Sequence, residues 1–129
     1  MIYRLVEYYA DELADWNRIL TFLKAESDGF ERRLAAALEK RTIIPGEEKE
    51  RGKLLDLFLV QHQRFDFIQK EIESQQHRLS HNTPVENKLI ENPIASQQNT
   101  LRARMHGVEK DFLRIKYSGY LFLSSFLKT

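Results

Sequence analysis

The sequence predicts an all-α protein, built as an elongated antiparallel up-down-up three-helix bundle with coiled-coil-like packing. First, its 129 residues include only 5 Gly and 3 Pro, and 30% are charged residues of both signs, which is typical of long helices. Second, apolar residues recur about every 3.5 positions through three long segments. Third, helix-breaking signals fall in two short stretches, 42–46 and 82–93. The length fits a single domain over residues 1–129.

The first helix, predicted over about residues 2–42, carries the longest periodic pattern. Eleven of its 13 heptad positions are apolar, and the positions are Ile2, Val6, Tyr9, Leu13, Trp16, Leu20, Leu23, Ser27, Phe30, Leu34, Ala37, Arg41 and Ile44. A second stripe indicates a helix with two neighbours, and it comprises Leu5, Tyr8, Ile19, Phe22 and Leu38. Asp28 and Glu31 mimic a helix start, but the pattern keeps its phase across them. We therefore expect one continuous helix, weakened at Gly29 by about 1 kcal/mol relative to Ala.

The second helix is predicted over about residues 46–81. Pro45 precedes it and ends the first helix, because proline disfavours the helical conformation at the residue before it. The heptad positions of the second helix are Leu54, Phe58, Gln61, Phe65, Ile68, Ile72, Gln75 and Leu79, and the face is widened by Leu55, Leu59 and Phe67. Gln61 and Gln75 are polar members of this apolar seam. They either fix the register of the helices or reach solvent at the seam edge.

Two proline signals precede the third helix, predicted over about residues 93–128. Thr83, Pro84 and Glu86 have the composition of a capped helix start, and Asn92 with Pro93 repeats the signal. We expect either a short helix at about 84–91 or a kink within 84–93. The heptad positions that follow are Leu101, Met105, Val108, Phe112, Ile115, Gly119, Phe122 and Phe126. Three helices of similar length joined by short turns resemble a spectrin-type three-helix bundle.

Charge is distributed unevenly along the chain, although the net charge is only +1. Residues 1–91 hold 14 basic and 17 acidic side chains, a net charge of −3, whereas residues 92–129 hold 6 basic and 2 acidic ones, a net charge of +4. One interpretation is that the third helix docks on an acidic groove formed by the other two. The alternative is a basic face for an acidic partner.

Nucleic-acid binding is disfavoured by the arrangement of the basic residues in the third helix. These residues are Arg102, Arg104, Lys110, Arg114 and Lys116. They do not form one stripe, and Glu109 and Asp111 interrupt them. The aromatic residues of the same helix fall largely on heptad positions, where core packing explains them better than base stacking does.

Several function classes are excluded or disfavoured by composition and motifs. The chain has no Cys, which excludes disulfides, thiolate metal sites and Cys nucleophiles and fits a reducing compartment, so we expect the cytoplasm. We expect no signal peptide and no membrane span, because no apolar run reaches the roughly 18 to 20 residues that a span needs. No phosphate-binding loop, GxSxG or HExxH pattern occurs. We therefore expect a non-enzymatic protein without a cofactor or catalytic residues.

One group of residues has the spacing of a metal site. Glu73, His77 and His81 recur at four-residue intervals, which places them on one face of the second helix. Histidines four residues apart can chelate Zn²⁺ or Ni²⁺. Binding of a metal or small ligand at these residues is the alternative function, and histidines on a solvated face are the simpler interpretation.

The two ends of the chain are more apolar than a three-helix core requires. The stretch Tyr117–Leu127 is apolar on nearly every side, and all five Tyr lie near one end or the other. Tyr is favoured at interfaces because its ring can be buried while its hydroxyl finds a partner. In an up-down-up bundle, an antiparallel pair of copies would place each chain's start against the other chain's end. We predict a homodimer through Tyr3, Tyr8, Tyr117, Tyr120 and Leu121.

Two other occupants of the apolar ends remain open. The last helix could lie on a membrane surface, although packing explains its apolar character better. Alternatively, the ends could bind a different protein, which would make the chain an adaptor.

Overall fold

The protein consists of three long α-helices in a computed structural model that describes residues 2–39, 47–81 and 92–127. These are α1 (Ile2–Glu39), α2 (Glu47–His81) and α3 (Asn92–Leu127), and every described residue is helical. At 1.5 Å per residue each helix is about 55 Å long. The all-α prediction is confirmed, as is the order of the three helices. The predicted end of α1 at residue 42 lies outside the described residues, and so does the predicted short helix or kink at 84–93 except for its last two residues, which begin α3.

Ion pairs between the helices define an up-down-up bundle in which every pair of helices is in contact. Glu12 and Glu26 of α1 each bind a basic residue of α3 that is 90 positions further on, so α1 and α3 run parallel. Arg64 and Glu71 of α2 bind residues of α3 that are 47 and 33 positions further on. The separation shrinks along α2, so α2 runs antiparallel to α3. The predicted antiparallel topology is confirmed.

The core follows the predicted heptads closely. All eight predicted positions of α2 are its buried residues. In α1 the seam is buried from Tyr9 to Leu34, including the small polar Ser27. In α3 it is buried from Leu101 to Phe112 and again at Gly119. One 3.5-residue seam on each helix therefore lines the interior of the bundle, where the apolar side chains form two clusters.

The prediction that α1 has two neighbours is confirmed, because α1 contacts both α2 and α3. Most described residues of the second apolar stripe and of the widened α2 face are nevertheless exposed. Leu5, Tyr8 and Phe22 of α1 are exposed, and so are Leu55, Leu59 and Phe67 of α2. The physical reason is that charged residues occupy much of the space beside the seam. Glu12, Lys24 and Glu26 fill it on α1 with interhelical ion pairs.

The prediction that α1 continues through Gly29 is confirmed, since the helix is unbroken from Ile2 to Glu39. Gly29 has no heavy atom within 4 Å of the place where a Cβ would lie. Gly119 of α3 differs, because a Cβ there would overlap the ring of Phe30. The close approach of α1 and α3 at this level therefore requires glycine.

A buried polar layer ties the three helices together. The Gln75 side-chain amide donates to the Ile94 carbonyl at 2.8 Å and to Gln98 Oε1 at 3.0 Å. The Gln98 amide in turn donates to Glu12 Oε1 at 2.9 Å and to the Tyr9 carbonyl at 3.3 Å. Gln61 and Gln75 are both buried, so neither reaches solvent at the seam edge. The structure favours the register-fixing interpretation for Gln75, and it adds Gln98.

The basic residues of α3 mostly face acids of the other two helices. Arg102 donates to both carboxylate oxygens of Glu12, at 2.8 and 2.6 Å. Lys116 pairs with Glu26 at 3.0 Å, and Arg104 pairs with Glu71. The docking interpretation of the charge asymmetry is therefore supported. None of the three helices, over its described residues, has a stretch long and apolar enough to cross a lipid bilayer.

Candidate functional site

The predicted interface residues lie on outer faces of α1 and α3. Tyr8 is 57% exposed, Tyr117 64%, Tyr120 48% and Leu121 54%. Tyr3 belongs to α1, but its side chain lies outside the described part of the structure. Because α1 and α3 run parallel, Tyr8 lies near one end of the bundle and the three α3 residues lie near the other.

Tyr120 is anchored on one side and open on the other. Its ring meets the edge of the buried Phe30 ring in a T-shaped contact with centroids 5.2 Å apart. Lys116 Nζ lies 5.7 Å from the Tyr120 ring centroid, within the range of a cation–π contact. Side chains held in this way lose little further freedom on binding, which favours them as interface anchors.

The exposed apolar surface extends beyond the residues that the sequence singled out. Leu113 is 65% exposed and lies one turn before Tyr117 on the same side of α3. Phe22 of α1 is 60% exposed. The 90-residue offset between α1 and α3 places Phe22 at the same height along the bundle as Phe112, which precedes Leu113 in the sequence. We call Leu113, Tyr117, Tyr120 and Leu121 the α3 apolar band. The sequence could have indicated that Leu113 is exposed, because it is an apolar residue that does not belong to the heptad seam.

A groove between α2 and α3 carries a second, mixed surface. Its apolar residues are Leu57, Val60 and Phe67, which are 45 to 55% exposed. Arg64 Nη1 crosses the groove to Asp111 Oδ2 at 2.7 Å and separates two depressions of about 400 and 300 Å³. Arg64 and Asp111, in the middle of this groove, are thus paired with each other.

The predicted metal ligands Glu73, His77 and His81 are all exposed on α2. The two imidazole rings lie 4.2 Å apart between centroids, as an i, i+4 pair should. His81 Nδ1 is 2.8 Å from the His77 carbonyl oxygen and donates to it, which leaves Nε2 as its free nitrogen. Within the described residues, three possible metal ligands do converge, but they are not these three residues.

The three converging residues are Asp28, Glu31 and His62, which meet between α1 and α2. Their ligand atoms all lie within 4.8 Å of one another. His62 Nε2 is 3.3 Å from Asp28 Oδ1 and 3.7 Å from Glu31 Oε1. The fully buried Ser27 supports the ring, with its Oγ 3.1 Å from the same nitrogen. We call these three residues the histidine–carboxylate cluster.

The environment of the histidine–carboxylate cluster raises the pKa of the Glu31 carboxyl above its usual 4.5. Burial is the main cause, because it disfavours the charged form. His62 opposes the increase, and the neighbouring Asp28 carboxylate adds to it. In the sequence, Asp28 and Glu31 were noticed only because their spacing resembles that of a capped helix start. His62 joins them solely through the register of α1 against α2.

No protein-family model matches this chain, and no curated protein or solved structure is significantly similar to it. The class of protein is therefore defined by its own geometry. It is an all-α three-helix bundle with a polar layer in its core and exposed aromatic residues at both ends.

Proposed function

We propose that this chain is a non-enzymatic helical-bundle protein that acts through protein–protein contact, by pairing with a second copy of itself. The observation that carries this proposal is the α3 apolar band. Its four members are 48 to 65% exposed and occupy neighbouring outer positions over about two turns. A cluster of exposed apolar side chains of this kind usually marks a contact site.

The direction of the helices favours an antiparallel pair. Tyr117 is level with Ser27, which lies about 28 Å from Tyr8 along α1 at 1.5 Å per residue. If two copies lie side by side in opposite directions, Tyr8 of each faces the α3 apolar band of the other. The same contact then forms twice, as in an isologous dimer, which is the commonest kind of oligomer. Tyr in each of these two contacts fits the composition of protein interfaces.

A non-enzymatic role is supported by the sequence and by the α2–α3 groove. The sequence has no recognised catalytic pattern. Arg64 and Asp111, the polar groups in the middle of the groove, bind each other. The Cys-free composition supports our placement of the protein in the cytoplasm.

The test of self-association is a double substitution, Tyr117→Glu with Leu121→Glu. Four buried charges in the antiparallel pair would have no compensating partner, so the variant should be a folded monomer. The matched control is Leu59→Glu with Phe67→Glu. These two α2 residues are 57% and 55% exposed, but they lie outside the proposed interface. A dimeric wild type whose mass is unchanged by the first pair would overturn the proposed interface.

A second candidate function is the binding of a metal ion or small ligand by Glu73, His77 and His81. The 4.2 Å ring separation supports a chelating pair at His77 and His81. Replacing both histidines with Ala should remove one bound Zn²⁺ per chain if this candidate is correct. An unchanged number of bound Zn²⁺ ions per chain after that replacement would refute it.

A further inference from the structure

The spacing of the histidine–carboxylate cluster matches that of metal ligands. In a tetrahedral Zn²⁺ site with bonds of 2.0 to 2.2 Å, neighbouring ligand atoms lie about 3.4 Å apart. His62 Nε2 lies 3.3 Å from Asp28 Oδ1 and 3.7 Å from Glu31 Oε1. Small side-chain movements would therefore bring all three atoms into bonding distance of one ion.

The charge environment of this cluster differs from that of the other interhelical carboxylates. In the described part of the chain, the other carboxylates that contact a neighbouring helix through an ion pair each bind an Arg or Lys. The pairs are Glu12–Arg102, Glu26–Lys116, Asp66–Lys24, Glu71–Arg104 and Asp111–Arg64. Asp28 and Glu31 instead meet His62. Imidazole is a metal ligand as well as a hydrogen-bond partner, so a cation can bind between all three groups.

The cluster is both supported and accessible. His62 is held by an edge contact to the Phe65 ring, with centroids 6.0 Å apart, whereas Ser27 Oγ contacts Nε2 itself and would give up that contact to a bound ion. A fixed imidazole lowers the entropy lost when the site binds an ion. Asp28 and Glu31 also border a surface depression of about 370 Å³. An ion can therefore enter from solvent and keep water in its remaining coordination positions.

We propose that Asp28, Glu31 and His62 form a binding site for a divalent transition-metal ion that links α1 to α2. One imidazole nitrogen and two carboxylate oxygens suit Zn²⁺, Mn²⁺ or Fe²⁺ better than Mg²⁺ or Ca²⁺, which prefer oxygen ligands alone. The bound ion would neutralise the two carboxylates and cross-link the helices. This site is separate from the α3 apolar band, so the proposal does not depend on self-association.

The test uses the full-length chain without an affinity tag, with Zn²⁺ as the probe. His77→Ala and His81→Ala are introduced first, which removes the exposed histidine pair as a competing site. Calorimetric titration of this background protein should show one Zn²⁺ per chain, and Mg²⁺ should give no comparable binding. Adding Asp28→Asn and Glu31→Gln should lower the Zn²⁺ affinity at least about tenfold, because loss of even an outer-shell partner has that effect.

Thermal unfolding supplies a second readout. Zn²⁺ should raise the Tm of the background protein, because an ion that binds only the folded state stabilises it. The same Zn²⁺ concentration should raise the Tm of the Asp28→Asn, Glu31→Gln protein by clearly less, with circular dichroism confirming that it is folded. The proposal is overturned if the background protein binds no Zn²⁺, or if the two added substitutions leave its affinity unaltered.

Discussion

The ring of Phe30 on α1 packs directly against the backbone of Gly119 on α3, so closely that a Cβ on Gly119 would overlap it. Phe30 has little freedom to move away. It is fully buried, stacks on Phe58 with centroids 5.4 Å apart, and touches the Tyr120 ring edge-on. The exposed Tyr120 is thus coupled to the core through Phe30, next to the one buried glycine of the α3 seam.

Replacing Gly119 with Ala should destabilise the protein, whereas replacing Gly29 with Ala should stabilise it. Either change improves helix propensity by about 1 kcal/mol. Gly29 faces open space, so the gain should be observed there. At Gly119 overpacking costs about 1 to 3 kcal/mol and should outweigh it. Urea unfolding followed by circular dichroism measures both, and an equal gain at the two positions would contradict the Phe30 contact.

Gln75 and Gln98 should behave as an energetically coupled pair. Gln98→Leu should lower the free energy of unfolding by about 1 to 3 kcal/mol, because it removes hydrogen-bond partners from Gln75 and from Glu12. The double variant Gln75→Leu, Gln98→Leu should lose less than the sum of the single losses. It should also lose register specificity, seen as additional peaks in NMR spectra. Simple additivity of the single effects would rule out the coupling.

The ion pair between Arg64 and Asp111 should make part of the stability depend on pH. The hydrogen bond from Arg64 is the main reason that the pKa of Asp111 lies below its usual 3.8. A lowered pKa in the folded state stabilises the protein above pH 3.8, and this contribution is lost as the pH falls through the lowered value. Asp111→Asn should therefore lower the Tm at neutral pH, with little effect in strong acid.

The matched control for this pH dependence is Asp56→Asn. Asp56 is an exposed residue of α2, and no ion pair joins it to another described residue. Its substitution should change the Tm little at either pH. If Asp111→Asn lowers the Tm equally at pH values below and above the usual pKa of 3.8, the effect comes from packing rather than from charge.

The antiparallel arrangement of two copies can be tested by cross-linking, because the wild-type chain has no Cys. Chains carrying Tyr8→Cys, mixed with chains carrying Tyr117→Cys, should form a disulfide-linked dimer under mild oxidation. A disulfide requires Cα atoms within about 7 Å of each other. Tyr117→Cys chains alone should not cross-link to each other, since Tyr117 faces the other end of the partner. Efficient cross-linking of Tyr117→Cys alone would contradict the antiparallel arrangement.

The heptad pattern was sufficient to predict the fold and most of the core. All eight predicted seam positions of α2 are buried, although the sequence left open whether Gln61 and Gln75 reach solvent. Gln98 was missed because the α3 pattern was taken to begin at Leu101. Ile94 and Gln98 continue the same spacing backwards and are both buried. A polar residue at the start of a seam does not add to the apolar pattern. Its spacing from the next seam residue nevertheless shows that it belongs to the seam.

The extent of burial and the histidine–carboxylate cluster could not be predicted in the same way. A hydrophobic stripe shows which side of a helix is apolar, but not how much of it the neighbouring helices cover, and Phe22 of the second stripe is exposed. The cluster joins Asp28 and Glu31 to His62 from a different helix. That contact depends on the axial register of α1 against α2, which the separate periodicities do not determine.

The most direct test of self-association is the mass of the full-length chain in solution, measured by light scattering coupled to size exclusion. A particle with twice the 15.3 kDa chain mass, reduced to a monomer by Tyr117→Glu with Leu121→Glu, is the expected result. A wild-type protein that stays at 15.3 kDa over a wide range of concentration would contradict it.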